Sequence, residues 1–81
     1  IFNGMAEVLE FKISNDSPVI GKKIMDITMP SDSLILSVIR GQQQETIPDG
    51  NFILREGDTL ISIVDKKSVA DLEKALIAGR Q

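Results

Sequence analysis

Two apolar segments constrain the fold of this chain more than any other feature. Residues 33–40 and residues 59–64 carry Leu, Ile or Val at both odd and even positions, and the apolar runs within them, residues 34–39 and 60–64, are each interrupted by a single Ser. Successive side chains of a strand point to opposite faces, so strands of this kind need cover on both faces. We therefore expect both segments to be inner strands of a small sheet.

Two further strands are predicted beside them. Residues 7–13 alternate apolar and charged side chains, which is typical of a strand with one buried and one solvated face. Residues 45–48 form a short strand that ends at Pro48, because proline cannot donate a hydrogen bond to a sheet ladder. The sheet should therefore contain about four strands and be mainly antiparallel, with mixed pairing allowed.

A first helix is predicted between residues 18 and 29. Ser17 is a suitable N-cap, Pro18 fits the first helical position, and Pro30 ends the helix. One apolar face follows at helical spacing, formed by Ile20, Ile24 and Ile27.

A second helix is predicted after the last strand. Ser68 is its expected N-cap, with Asp71 three residues later as a capping-box variant, and Gly79 is its expected stop. Its apolar face comprises Val69, Leu72 and Leu76. The elements together predict an α+β fold in which residues 1–81 form a single domain.

Composition excludes several classes of function. The 81 residues carry 9 basic and 12 acidic side chains, a formal net charge of −3, and no Cys or His. An acidic chain without a basic stripe is a poor nucleic-acid binder, and its apolar runs are far shorter than the roughly 20 residues of a membrane span. Without Cys or His, most nucleophile and acid–base constellations cannot be assembled, so we predict that the chain is not an enzyme.

Polar residues at the predicted turns leave a few local alternatives open. Residues 55–58 read Arg-Glu-Gly-Asp, which is typical of a turn. The alternative is a loop that binds a divalent cation, although it offers fewer oxygen ligands than such a cation prefers. Gly57 precedes a strand, where a backbone with positive φ is often required. Arg40 beside Gly41 is a turn residue or a phosphate contact.

Five short motifs occur in a fixed order along nearly the whole chain, from about Ala6 to Leu76. They are Ala6-Glu7-Val8-Leu9-Glu10-Phe11, Ser17-Pro18-Val19-Ile20-Gly21-Lys22, Leu36-Ser37-Val38-Ile39-Arg40-Gly41, Ile47-Pro48-Asp49-Gly50 and Leu54-Arg55-Glu56-Gly57-Asp58-Thr59-Leu60. No single motif is decisive, but the ordered set resembles the TrkA-C domain, also called the RCK C-terminal domain, of bacterial potassium-transport regulators.

The resemblance implies a cytoplasmic regulatory domain, peripheral to the inner face of the membrane through an integral-membrane potassium transporter. It also implies a homodimer that binds a small regulatory ligand in some members, cyclic di-AMP being one example. NAD or ATP would bind a Rossmann subdomain that these 81 residues do not contain. We therefore expect a fragment of a longer protein, with no cofactor bound by the fragment itself.

A ligand site is predicted at the start of the first predicted helix. The positive end of its dipole and the charges of Lys22 and Lys23 would attract an anion, while Val19, Ile20 and Ile35 would form apolar walls. Arg40 and Pro48 lie further along the sheet as weaker candidates. The competing interpretation makes both lysines a solvated face and both Val19 and Ile20 core residues.

The sequence thus predicts a regulatory domain of a potassium uptake system that senses a ligand, dimerises, or does both to gate the transporter. Two alternatives remain at this point. One is a purely structural dimerisation module without a ligand. The other is a regulatory domain of a different ion transporter, such as a sodium/proton or an anion system.

Overall fold

The computed structural model describes residues 4–42 and 44–77. Four strands are present in this part of the chain: β1 (Ala6–Lys12), β2 (Ser33–Arg40), β3 (Gln44–Thr46) and β4 (Thr59–Asp65). One α-helix, α1 (Val69–Leu76), follows β4 directly after a 3₁₀ helix (Lys66–Ser68), and another 3₁₀ helix (Ile24–Asp26) lies between β1 and β2.

The four strands form one sheet in the order β1-β4-β2-β3, and every pair of neighbours is antiparallel. The two strands that are apolar on both parities, β2 and β4, are therefore the inner strands, as predicted. The α+β class and the four-stranded antiparallel sheet are confirmed. Pro48 lies beyond β3, because the strand ends two residues earlier than predicted.

The hydrophobic core lies on one side of the sheet, where α1 and the long connections pack. The two apolar residues of α1 that face it, Leu72 and Leu76, are fully buried. The buried core consists of Phe11, Ile13, Val19, Ile35, Val38, Leu54, Leu60, Val64, Leu72 and Leu76. Ile, Leu and Val supply nearly all of it, which agrees with the scarcity of aromatic residues.

The prediction of a first helix over residues 18–29 is wrong. Gly21 adopts φ +84°, a left-handed conformation that interrupts a right-handed helix. The segment instead runs antiparallel to residues 50–54: Gly21 N–H donates to Leu54 O at 2.8 Å, and Ile24 N–H donates to Phe52 O at 3.0 Å. The isoleucine spacing that suggested a helix therefore occurs in an irregular segment, whose backbone forms hydrogen bonds with residues 50–54.

Both predicted N-caps have other roles. The Ser17 hydroxyl donates to Leu76 O at 2.7 Å and so ties this connection to the end of α1. The Ser68 hydroxyl donates to Asp32 Oδ2 at 3.1 Å and makes no capping bond. The capping side chain is that of Asp65, which accepts from Lys67 N–H at 3.1 Å. The expected stop at Gly79 lies outside the described residues.

One irregularity interrupts the pairing of the inner strands. Ile35 pairs with Ser62 and Ser37 with Ile61, so Leu36 is an extra residue in β2. Such a β-bulge bends the strand and shifts its alternation by one residue. As a result Ile35 and Val38, three residues apart, both lie in the core, whereas Leu36 remains 38% exposed.

Candidate functional site

The sheet face opposite the core has no layer packed against it in the part of the chain that the structure describes. We call it the open face; its register row Val8–Ile63–Leu34 crosses three strands. Val8 is 61% exposed and Leu34 is 56% exposed, and they lie on opposite sides of Ile63. The apolar centre of the open face consists of Val8, Leu34, Leu36, Ile61 and Ile63.

Charged residues lie at the two lateral edges of the open face. A second row, Lys12–Thr59–Ile39–Glu45, crosses all four strands and has a cation at one end and an anion at the other. The Ser37 hydroxyl donates to Glu45 Oε2 at 2.9 Å, which fixes the direction of the carboxylate. The open face is thus apolar in the middle, with Glu10 and Lys12 at its β1 edge and Glu45 at its β3 edge.

A partly buried ion pair joins the end of β2 to the residue before β4. Asp58 is fully buried, and its carboxylate accepts from Arg40 Nε at 2.8 Å and from Arg40 Nη2 at 2.9 Å. Arg55 N–H donates to the same carboxylate at 2.8 Å. Arg40 also donates to Ile53 O at 2.9 Å and lies 4.8 Å from the centre of the Phe52 ring. The Arg40–Asp58 contact is bidentate, and both carboxylate oxygens of Asp58 accept hydrogen bonds within the protein. We therefore assign this pair a structural role.

The ion pair shifts the pKa of both groups. Burial raises the pKa of Asp58, but the hydrogen bonds from Arg40 and Arg55 N–H outweigh burial and hold the pKa below its ordinary value. The hydrogen bond to Asp58 raises the pKa of Arg40 above its already high ordinary value. Both groups are therefore charged at neutral pH.

The turn interpretation of residues 55–58 is the one that the structure supports. Asp58 N–H donates to Arg55 O at 3.1 Å, and Gly57 has φ +91°, as the predicted turn requires. The turn is also bonded to the end of β1, because Gly57 N–H donates to Ile13 O at 2.7 Å. Among residues 4–42 and 44–77 no group of three or more acidic side chains is placed to hold a metal ion.

The residues of the predicted ligand site are divided between the core and the surface. Val19 and Ile35 are 2% and 8% exposed, so both side chains belong to the core. Ile20, Lys22 and Lys23 are exposed on the segment that replaces the predicted helix. No helix dipole is available there, which corrects the electrostatic argument for the site.

Ile53 brings two of the remaining candidates near each other. Its backbone pairs with Lys23 and accepts a hydrogen bond from Arg40. Exposed Met25 and Ile53 accompany the lysines on these paired segments, and neither was predicted. Pro48 lies in the loop after β3 and is half-buried. The apolar residues next to Lys22 and Lys23 were the sequence signal for this exposed surface, but their spacing was interpreted as a helix.

One further depression lies beside the start of β1. Its volume is about 490 Å³, and it is lined by Gly4, Met5, Asp65, Lys66 and Lys67. The Asp65 carboxylate accepts backbone hydrogen bonds from Gly4 and Lys67, which fixes this corner of the fold. None of the helices described in the structure is both long and apolar enough to cross a membrane.

The comparison with protein families agrees with this architecture. A family model described as the TrkA-C domain matches residues 8–77, which is nearly the whole chain. The chain belongs to the TrkA-C domain family. The match agrees with the α+β fold described above.

Related sequences carry potassium uptake names. The TrkA-C chain is 33% identical over 69 residues to Trk system potassium uptake protein TrkA homolog 1 of Methanosarcina mazei, covering 85% of this chain and 15% of that protein. It is 28% identical over 76 residues to a TrkA homolog of Pyrococcus abyssi, covering 94% and 34%. It is 31% identical over 80 residues to TrkA of Halomonas elongata, covering 94% and 17%. The TrkA-C chain thus spans about a third or less of these relatives.

A solved structure shares the fold. It is described as "Structure of RCK domain with cda" and superposes with a TM-score of 0.73 at 25% sequence identity. The match covers 85% of this chain and 96% of that chain. The agreement extends over nearly the whole of that solved chain.

Proposed function

We propose that this TrkA-C domain regulates a potassium uptake system on the cytoplasmic side of the membrane, as a homodimer whose geometry biases an integral-membrane transporter. The observation that carries the proposal is the family match over residues 8–77, together with relatives named as Trk potassium uptake proteins. A domain that favours one dimer geometry can bias a gate through a coupling free energy, without chemistry of its own.

A chimaera tests this proposal in a working system. The matching segment of the Halomonas elongata TrkA protein would be replaced by this chain, since the two align over 80 residues. Potassium uptake in cells that lack their own TrkA should exceed that of the same TrkA with the segment deleted. Uptake equal to the deletion, with the chimaera folded and expressed, would contradict the proposal. Sodium and chloride fluxes in the same cells distinguish the alternative transporter classes.

Ligand sensing is the finer part of the proposal, and cyclic di-AMP is the ligand to test first. The structural neighbour is described as an RCK domain with cda. In this chain Ile20, Lys22 and Lys23 are exposed and offer an apolar surface with two cations for an anionic nucleotide. NAD and ATP, which the family resemblance places on a Rossmann subdomain, are not proposed as ligands of these 81 residues.

Thermal unfolding with cyclic di-AMP measures this binding directly, since a ligand of the folded state raises the melting temperature. Lys23→Glu should remove the rise without changing the melting temperature of the free domain. Lys74→Glu, at an exposed position of α1, is the matched charge control and should keep the rise. A full rise in the Lys23→Glu variant would place the ligand elsewhere.

A ligand-free dimerisation module is the second candidate function. Two observations favour it: Val19 and Ile35 are core residues, and Arg40 is held by Asp58. Under this alternative no cyclic dinucleotide or AMP shifts the melting temperature at millimolar concentration, whereas the chimaera still supports potassium uptake. The two experiments together therefore separate sensing from assembly.

A further inference from the structure

The two edges of the sheet differ in how well they are protected from pairing with another chain. The β3 edge is only three residues long, and Pro48 follows two residues after its end. The β1 edge has seven residues in unbroken register with β4, and it contains neither proline nor glycine. Short strands, prolines and bulges are the usual protection of an edge strand. The β1 edge has none of these three.

The backbone of β1 presents a regular set of hydrogen-bonding groups at its outer edge. Just before the strand, Lys66 N–H donates to Met5 O at 2.9 Å, and just after it Ile13 N–H donates to a backbone oxygen at 2.8 Å. Odd-numbered residues of this register therefore direct their backbone groups toward β4, and the alternate residues direct theirs away from it. The outward groups make no hydrogen bond to any residue within 4–42 and 44–77. They belong to Ala6, Val8, Glu10 and Lys12.

We propose that this edge binds an extended segment of a partner protein as a fifth strand, antiparallel to β1, with an acidic residue opposite Lys12 and a basic residue opposite Glu10. All neighbouring strands of the sheet are antiparallel. The same pairing lets each outward residue of β1 exchange two hydrogen bonds with the residue opposite it. The inference does not depend on the homodimer proposed above.

Two charges without an ionic partner give the edge its specificity. Glu10 and Lys12 lie two residues apart on the open face, and their neighbours on β4 are the uncharged Ile61 and Thr59. Neither charge forms an ion pair with a residue in the described part of the chain. Charges on an edge strand discourage indiscriminate pairing. A strand that carries the opposite charges in register instead gains two attractive cross-strand pairs.

A second copy of β1 matches this pattern poorly. In the antiparallel register that overlaps the whole strand, Lys12 faces Ala6 of the other copy. Glu10 then faces Val8, so neither charge is matched. On the core side of the edge, Leu9 is only partly buried, and an apolar residue opposite it would cover the rest. From its N-terminus, the partner segment therefore has an acidic residue, any residue, a basic residue and two apolar residues.

Two peptides of identical composition test the charge pattern in NMR titrations of the 81-residue chain. The matched peptide is acetyl-Thr-Glu-Thr-Lys-Val-Val-Thr-amide, and the exchanged peptide has its Glu and Lys interchanged. The matched peptide should bind at least about tenfold more tightly, because two attractive pairs replace two repulsive ones. The double variant Glu10→Lys with Lys12→Glu keeps the net charge and should reverse the preference. Equal dissociation constants for the two peptides, or an unchanged preference in the double variant, overturns the inference.

Hydrogen–deuterium exchange tests the edge itself. The matched peptide should slow amide exchange at Val8 and Glu10, and Val8→Pro should abolish its binding because proline has no N–H. Val8→Thr keeps the N–H and is the matched control, with a dissociation constant within about threefold of the wild type. Circular dichroism confirms that each variant is folded. Binding that leaves exchange at both amides unchanged overturns the inference. Slow exchange that follows protein concentration, without peptide, assigns the edge to a second copy and also overturns it.

Discussion

The two faces of the sheet are made from the same strands and have opposite environments. On β4, Leu60 and Val64 are fully buried under α1 and the connections, whereas Ile61 and Ile63 keep part of their surface in water. Both sets are aliphatic residues of one strand. The folded domain therefore buries only one of the two apolar faces of its inner strands.

Leucine truncation on the two faces should give the largest contrast. Leu60→Ala removes a fully buried side chain and should lower the free energy of unfolding by about 2–5 kcal/mol. Leu34→Ala is the same chemical change on the open face, where the side chain is 56% exposed, and should cost about 0.5 kcal/mol in dilute protein. Urea unfolding at low micromolar concentration measures both. Equal losses would show that the open face is part of the monomer core.

The next largest effect is expected at the ion pair that closes the core between β2 and β4. Asp58→Ala leaves the Arg40 guanidinium and Arg55 N–H without their shared acceptor and should cost about 3 kcal/mol. Glu45→Ala removes an exposed carboxylate on the open face and serves as the control, with a change of about 0.5 kcal/mol or less. A loss at Asp58 no greater than that at Glu45 would contradict the role of the pair.

The same ion pair predicts an acid dependence with a defined sign. The pKa of Asp58 is lower in the folded protein than its ordinary value of about 3.9. Its stabilisation is therefore complete above that ordinary value and is lost as the pH falls through the lower folded pKa. Urea midpoints between pH 6 and pH 2 should fall more steeply for the wild type than for Asp58→Asn. Parallel curves would rule out Asp58 as the group responsible.

Gly57 should have an intermediate effect. Its φ of +91° is unfavourable for other residues, yet a Cβ built there meets no atom within 4 Å. The cost of Gly57→Val is therefore conformational and should be about 1–2 kcal/mol, measured as a lower melting temperature. Gly57→Asn should recover part of the loss, since Asn tolerates positive φ better. A Gly57→Val domain that melts within a degree of the wild type would refute this.

The smallest effect is expected in the middle of the core face. Ser62 is fully buried and its hydroxyl has no hydrogen-bond partner. Ser62→Ala removes an unsatisfied polar group and should leave stability unchanged or raise it by up to about 1 kcal/mol. A clear loss in urea unfolding would mean that the hydroxyl has a partner, such as a buried water.

Sequence patterns predicted the strands well because strand alternation and burial are local signals. Residues 33–40 and 59–64 were assigned to strands within one residue of their observed bounds. The segment after Pro18 was wrongly predicted to be a helix. The helical spacing of its isoleucines does not show that Gly21 adopts a positive φ, or that the backbone of this segment forms hydrogen bonds with residues 50–54.

The ion pair could not be predicted from the sequence for a different reason. The same reason applies to the burial of Val19 and Ile35, which were predicted as ligand-site residues. Arg40 and Asp58 are 18 residues apart, and only the pairing of β2 with β4 brings them together. Val19 and Ile35 are ordinary apolar residues whose burial depends on packing from several elements. Which face of the inner strands stays open could not be predicted, because the sequence does not say which face of the sheet a single helix will cover.

Distances between spin labels would test most directly whether the proposed homodimer forms through the open face, which the folded domain leaves apolar and partly exposed. The chain has no cysteine, so a single introduced cysteine labels cleanly. Glu10 lies on the open face and Glu73 is exposed on α1 across the core. Packed sheets lie about 10 Å apart, with the helices outside them, so labels at position 10 should be closer together than labels at position 73. The reverse order, with the helices close together and the open faces apart, would contradict the account.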